Sequence, residues 1–128
     1  MTIAEVSKKY GLSADTLRYY ERVGLIPEVK RNKSGIRDYT EEDCRWIEFI
    51  KCMRSAGLPI ETLIEYVRLV QQGDETIDAR KELLIEQRKQ LIEKMEDMKK
   101  TIERLDYKIE IYDQAVVKKE NGLKRTYD

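Results

Sequence analysis

The residues best able to do chemistry lie in SADTLRYYER, positions 13 to 22. Arg18 carries a fork of donors that can pair with a guanine edge or a phosphate, and the hydroxyls of Thr16 and Tyr19 can donate to phosphate oxygens at the rim of a groove. Ser13 and Arg22 stand at the two ends of the same stretch, while Leu17, Tyr20 and Leu25 have the spacing of core residues. Further along, PEVKRNKSGIRDY gathers Lys30, Arg31, Lys33 and Arg37 around the turn formers Asn32, Ser34 and Gly35. Cys44 and Cys52 are the only thiols, and there is no histidine. That removes Ser-His and Cys-His nucleophile pairs, a histidine general base and a histidine-bearing zinc site. No residue set for catalysis remains, so the chain reads as a binding protein and not an enzyme.

Twenty-five basic and twenty-five acidic side chains cancel, which at first argues against nucleic acid. The distribution says otherwise. Residues 8 to 37 hold eight bases against three acids, an excess of five, whereas 38 to 72 hold four bases against seven acids and the rest is nearly balanced. One end of the molecule is basic. Two cysteines separated by seven residues fit neither a disulfide framework nor a paired-cysteine zinc module, which suggests a reducing compartment. The first residues lack the apolar stretch of a signal peptide, and no window approaches the run of about 18 apolar residues that spans a membrane. The expectation is a cytoplasmic protein with no membrane partner.

With only six glycines and two prolines in 128 residues, and 39% of them charged, the elements that position these groups must be mainly helical. Thr2 and Glu5 have capping-box spacing before a short helix that Gly11 ends. Ser13 can cap a second helix running to Gly24, with Asp15 near its positive end, and two short helices joined this way form a helix-turn-helix. Periodicity stops from Pro27 to Tyr39, which predicts a small β-hairpin wing with its bases at the tip. Thr40 and Asp43 can cap a third helix in which Cys44, Ile47, Ile50 and Met53 share a face, with Gly57 as its stop. Pro59 opens a fourth, with Leu63, Tyr66, Val67 and Val70 facing inward, and Gly73 ends it.

From about Thr76 to Lys119 there is neither glycine nor proline, and a heptad runs through the segment. Its seam reads Ile77, Lys81, Leu84 and Arg88, then Leu91, Met95, Met98, Ile102, Leu105, Ile109, Tyr112 and Val116, so that ten of twelve positions are apolar. A helix of about 40 residues reaches about 60 Å at 1.5 Å per residue, too long for one small domain to cover. The simplest cover for the seam is the same helix of a second copy, a homodimer. Register alone leaves its orientation open. Leu83, Ile85 and Ile92 widen the apolar stripe and suggest that the first half also packs on a globular domain.

The stretch AEVSKKYGLSADTLRYYERVGLIPEVKRNKSGIRDYTEEDCRWIEFIKCMRSAGLPIETL resembles the DNA-binding domain of the MerR family of bacterial transcription regulators, over roughly residues 1 to 72. TLRYYERVGLI, the RDY at 37 to 39 and FIKCMRSAGLPIETL carry the likeness. It implies a mainly α chain: a winged helix-turn-helix domain at 1–72, a dimerisation helix at 73–119 that pairs antiparallel with its mate in a coiled coil, and a flexible tail at 120–128. By the same resemblance Arg18 and Tyr19 would contact groove and backbone, Arg37 and Tyr39 would reach phosphates from the wing, and Arg54 would serve a second, helical wing. Such a homodimer binds double-stranded promoter DNA and distorts it so that RNA polymerase can use the promoter, deformation energy serving as the switch.

The family's thiolate metal sites need cysteines at and beyond the start of the long helix. None follows Cys52, so no metal and no cofactor is expected. Cys52 resembles the lone cysteine of family members that answer aldehyde and thiol stress, which implies a small electrophilic effector. Lys51 and Arg54 flank it, and neighbouring cations favour the thiolate that attacks a carbonyl. The other reading of Cys52 is a small packing residue, and the same is expected of Cys44. A competing functional class is a helical adaptor that works through its coiled coil. Five excess bases on the helix-turn-helix and wing argue against it.

Overall fold

A computed structural model describes residues 1–120, with side chains to residue 117. The chain divides into two compact units, the first Met1–Gln87 and the second beginning at Arg88. The order of elements is α1 (Ile3–Tyr10), α2 (Ala14–Val23), α3 (Glu41–Ser55), α4 (Ile60–Gln72), a 3-10 turn (Asp74–Thr76) and α5 (Ile77–Glu120). The expected tail lies outside the described residues beyond Glu120. No described helix is long and apolar enough to cross a membrane.

Local chemistry sets the helix boundaries of the first unit. Thr2 Oγ1 accepts the Glu5 N–H while Glu5 Oε1 accepts the Thr2 N–H, and Thr40 and Asp43 repeat the reciprocal pair at the start of α3. Each box satisfies two donors that the first helical turn leaves unpaired. At the end of α2, Gly24 adopts φ +86° so that its N–H can return to the Tyr20 and Glu21 carbonyls. A residue with a side chain there would be strained.

The core lies where α1, α2, α3 and α4 converge. Val6, Leu17, Leu25, Ile47, Ile50 and Leu63 are almost wholly buried in it. Trp46, Phe49 and Tyr66 form a triangle of ring contacts between α3 and α4, with centroids 5.6 to 6.2 Å apart. After α4, the buried Thr76 holds its hydroxyl 2.6 Å from the Leu69 carbonyl, and Arg80 donates back to both Thr76 Oγ1 and the Gly73 carbonyl. These bonds set the entry into α5.

The wing is slighter than a two-stranded hairpin. A single antiparallel bridge joins Arg31 and Arg37, and the loop is closed by Asn32 N–H to the Ile36 carbonyl at 2.8 Å and Asp38 N–H to the Lys30 carbonyl at 2.8 Å. Asn32 shapes the tip, because its side-chain oxygen accepts the N–H groups of both Ser34 and Ile36. With the tip held by a side chain, the ladder needs no further rungs.

In the second unit the expected seam residues of α5 from Leu91 to Val116 are all exposed. Only Leu83 is half-buried in the first unit, while Ile85 and Ile92 are left open to solvent at 43% and 45%.

Candidate nucleic-acid interface

Helix α2 turns two faces to two environments. Leu17 and Tyr20, three residues apart, are buried, and burial pushes the Tyr20 hydroxyl above the ordinary phenol value. Arg18 and Arg22 are exposed on the other face, Ser13 is exposed at the cap, and Thr16 and Tyr19 are half-exposed. All five α2 candidates therefore share one element. Ser13 is above all the cap of α2: its Oγ accepts the Thr16 N–H at 3.0 Å and lies 2.8 Å from the Thr16 hydroxyl.

Arg18 is held lightly. Its Nη1 donates to Asp15 Oδ1 at 3.0 Å, but the side chains are 45% and 95% exposed, so the pair is worth about 0–1 kcal/mol and can be exchanged for another anion. Arg22 lies over the Tyr19 ring, 5.5 Å from its centroid, which orders both side chains along the exposed face.

The wing holds its bases less evenly than the sequence suggests. Lys33 is exposed at the tip. Arg31 donates from Nη1 to the Gly35 carbonyl at 2.7 Å. Arg37 departs from the expectation of a phosphate contact, because its Nε donates to Glu21 Oε1 at 2.7 Å and both side chains are largely covered. Glu21 uses its other oxygen to accept the Val29 N–H at 3.1 Å. One carboxylate thus joins α2 to both ends of the wing. Sequence reasoning misses Glu21, which counts there only as an acid diluting the basic stretch.

Tyr39 also departs from expectation. It is 2% exposed, a core residue, and its hydroxyl is buried without a hydrogen-bond partner among the described residues. Burial raises its pKa above the phenol value, with the Arg37 charge pulling the other way. In this conformation the hydroxyl presents nothing to a phosphate. Arg54 donates from Nη1 to the Leu58 carbonyl at 2.6 Å, bracing the turn between α3 and α4, and its residue remains exposed there.

The two cysteines separate. Cys44 is buried at 5% exposure, with its sulfur 4.0 Å from Met1 Sδ, and so is packing. Cys52 is a free, exposed thiol, which removes the reading of it as a buried residue. The cations flanking it are engaged with the backbone, Lys51 on the Tyr10 carbonyl and Arg54 on that of Leu58.

Comparison with known proteins agrees with this geometry. Residues 1–69 match the family model described as "MerR HTH family regulatory protein", and residues 44–107 match that described as "MerR, DNA binding". The HTH-type transcriptional regulator AdhR of Bacillus subtilis is 67% identical over 93 residues, which span 73% of this chain and 66% of that regulator's own length. A MerR family regulator from Listeria monocytogenes superposes with a TM-score of 0.91 at 48% identity, covering 95% of this chain and 92% of that one. HiNmlR, a MerR family regulator lacking the sensor domain and solved bound to promoter DNA, superposes with a TM-score of 0.82 at 31% identity, covering 91% and 92%.

Proposed function

Because this chain belongs to the MerR family of helix-turn-helix regulators, we propose that it binds double-stranded promoter DNA as a homodimer, with residues 1–72 reading the DNA and 73–119 joining the two copies. The observation that carries this reading is α2 and its cap, where Ser13, Arg18 and Arg22 are exposed and Thr16 and Tyr19 half-exposed, with Lys33 also exposed at the tip of the wing. A chain with zero net charge can bind a polyanion because the local field near its bases, doubled in a dimer, decides the encounter. The superposition on a DNA-bound relative supports the same mode. Arg37, Tyr39 and Arg54 then serve the interface chiefly from behind, by fixing the wing, the core and the turn between α3 and α4. RNA polymerase acting at the distorted promoter in the cytoplasm completes the proposal.

The direct test is a titration of the full chain onto the DNA upstream of its own gene. Log affinity should fall linearly and steeply as log salt rises, and this DNA should be preferred over a scrambled duplex. Weak, salt-insensitive binding without preference would favour the adaptor that works through its coiled coil.

We further propose that Cys52 senses a small electrophile such as an aldehyde, its thiolate adding to the carbonyl carbon while the carbonyl oxygen takes up a proton. The exposure of the thiol supports this reading. Transcription from the target promoter should rise several-fold with a short aldehyde in the wild type and stay flat in Cys52→Ser. An equal response in the variant removes Cys52 from the mechanism.

A further inference from the structure

Between the end of α1 and the start of α3 the first unit holds an open cleft of about 600 Å³, within the range of about 300–1,000 Å³ that small molecules occupy. Its floor is Cys44, buried at 5% exposure, with the Met1 thioether sulfur 4.0 Å from the thiol. Burial and the neighbouring Cys44 thiol push the Tyr10 hydroxyl above the ordinary phenol value, with Lys9 pulling the other way, so these groups are gathered at one place. Lys9, Glu41 and Arg45 stand exposed around the floor. Neither the exposed residues of α2, nor the bases of the wing, nor Cys52 line the cleft.

The charges around this cleft are not spent on one another. Lys9 Nζ lies 5.4 Å from the centroid of the Tyr10 ring, so a ring face and not an acid holds that cation. Glu41 precedes Arg45 by four residues, the spacing of a helical ion pair, yet among the described residues no ion pair engages Lys9, Glu41 or Arg45. The Met1 ammonium adds nothing to the balance, because Asp38 Oδ1 takes it up at 3.1 Å. Two cations against one carboxylate leave one positive charge in excess. A single carboxylate on a ligand meets that excess, and a guanidinium can bind both of its oxygens in parallel hydrogen bonds. A dianion would overshoot the excess and meet Glu41, and a zwitterion would leave it unmet.

We propose that this cleft binds a small monocarboxylate, its charge held by Arg45 and Lys9 and its body seated on Tyr10, Met1 and Cys44. A floor of ring, thioether and thiol favours an apolar body over a polar one, and the exposed cations above it lose little by exchanging water for a carboxylate. Lys9 belongs to α1 and Arg45 to α3, so the ligand bridges the first helix of the helix-turn-helix to the helix that follows the wing. The site is independent of electrophile sensing at Cys52, since it needs no covalent step and shares no residue with it.

Iodoacetate and its neutral counterpart iodoacetamide probe the cleft, because Cys44 reports their arrival: its sulfur bonds to the methylene carbon as iodide leaves and the thiol proton passes to solvent. Initial rates at Cys44 are read by mass spectrometry of peptides that separate it from Cys52. They are compared between the folded full chain and the same chain in urea, which keeps the intrinsic reactivity and the sequence neighbour Arg45 but loses the cleft. The ratio of the iodoacetate rate to the iodoacetamide rate should be roughly tenfold higher in the folded chain. Arg45→Gln and Lys9→Gln should each lower that ratio about threefold in chains of unchanged helix content, and Glu41→Gln should raise it. A ratio equal in folded and unfolded wild type, or a Cys44 that reacts with neither reagent while the chain is folded, overturns the site. So does a preference that survives both cation substitutions together, since some other group would then hold the carboxylate.

Discussion

Replacing Arg18 with Ala should weaken operator binding roughly 10- to 100-fold while leaving helix content and dimerisation unchanged. The size follows from the interaction removed, since a good bidentate pair between a guanidinium and a base edge is worth about 1–3 kcal/mol of discrimination. The selectivity follows from the structure. Arg18 is ion-paired with the exposed Asp15, and its side chain takes no part in the core that Leu17 and Tyr20 join from the opposite face of α2. Removing it leaves no buried group unpaired, so the folded state should lose well under 1 kcal/mol. Titrations onto operator and scrambled duplexes at fixed salt separate the two roles open to the side chain. A base contact relaxes the preference at one position. A phosphate contact weakens both duplexes alike and lowers the salt slope by about one. If the variant loses its dimer or its helix content, Arg18 is a structural residue and α2 reads DNA by other side chains.

The parts of this molecule that are legible in its sequence are those set by neighbours in the chain. Thr2 with Glu5, Ser13 with Thr16 and Thr40 with Asp43 make their bonds three residues apart, so spacing alone locates the helix starts. The face of α2 is legible for the same reason, because burial of Leu17 and Tyr20 commits Arg18 and Arg22 to the opposite side. What the sequence does not disclose depends on contacts across the fold. Arg37 meets Glu21 sixteen residues away, and Lys51 meets the Tyr10 carbonyl forty-one residues away. Neither partner has a signature in composition or period. Tyr39 is misplaced by sequence because a tyrosine is equally at home as a rim donor and as a core ring, and only the packing of α3 and the wing around it decides. The isoleucines beside the seam are ambiguous for a related reason, since a wide apolar stripe on a helix does not say which surface covers it.

Glu21→Gln should cost about 2 kcal/mol of stability and should lower discrimination between operator and scrambled DNA more than it lowers affinity for either. The carboxylate has two duties. One oxygen pairs with Arg37 Nε at 2.7 Å with the two side chains only 22% and 13% exposed, and the other accepts the Val29 N–H where the wing begins. An amide can still accept that N–H but cannot neutralise the guanidinium, so a largely covered charge is left unpaired. This is why the expected loss exceeds that of an exposed pair such as Arg68 with Glu65. Arg37 would then be free to swing toward phosphate, adding attraction that no base sequence modulates, while the wing would lose its tie to α2 through Arg37. Nonspecific binding should hold steady or rise as operator binding falls. Combining Glu21→Gln with Arg37→Ala separates the duties. If the ion pair is the principal link, the double variant is little less stable than either single one, and its nonspecific binding drops back because the freed cation is gone. Equal discrimination in wild type and Glu21→Gln would mean that the tie between α2 and the wing supports the fold alone and takes no part in reading DNA.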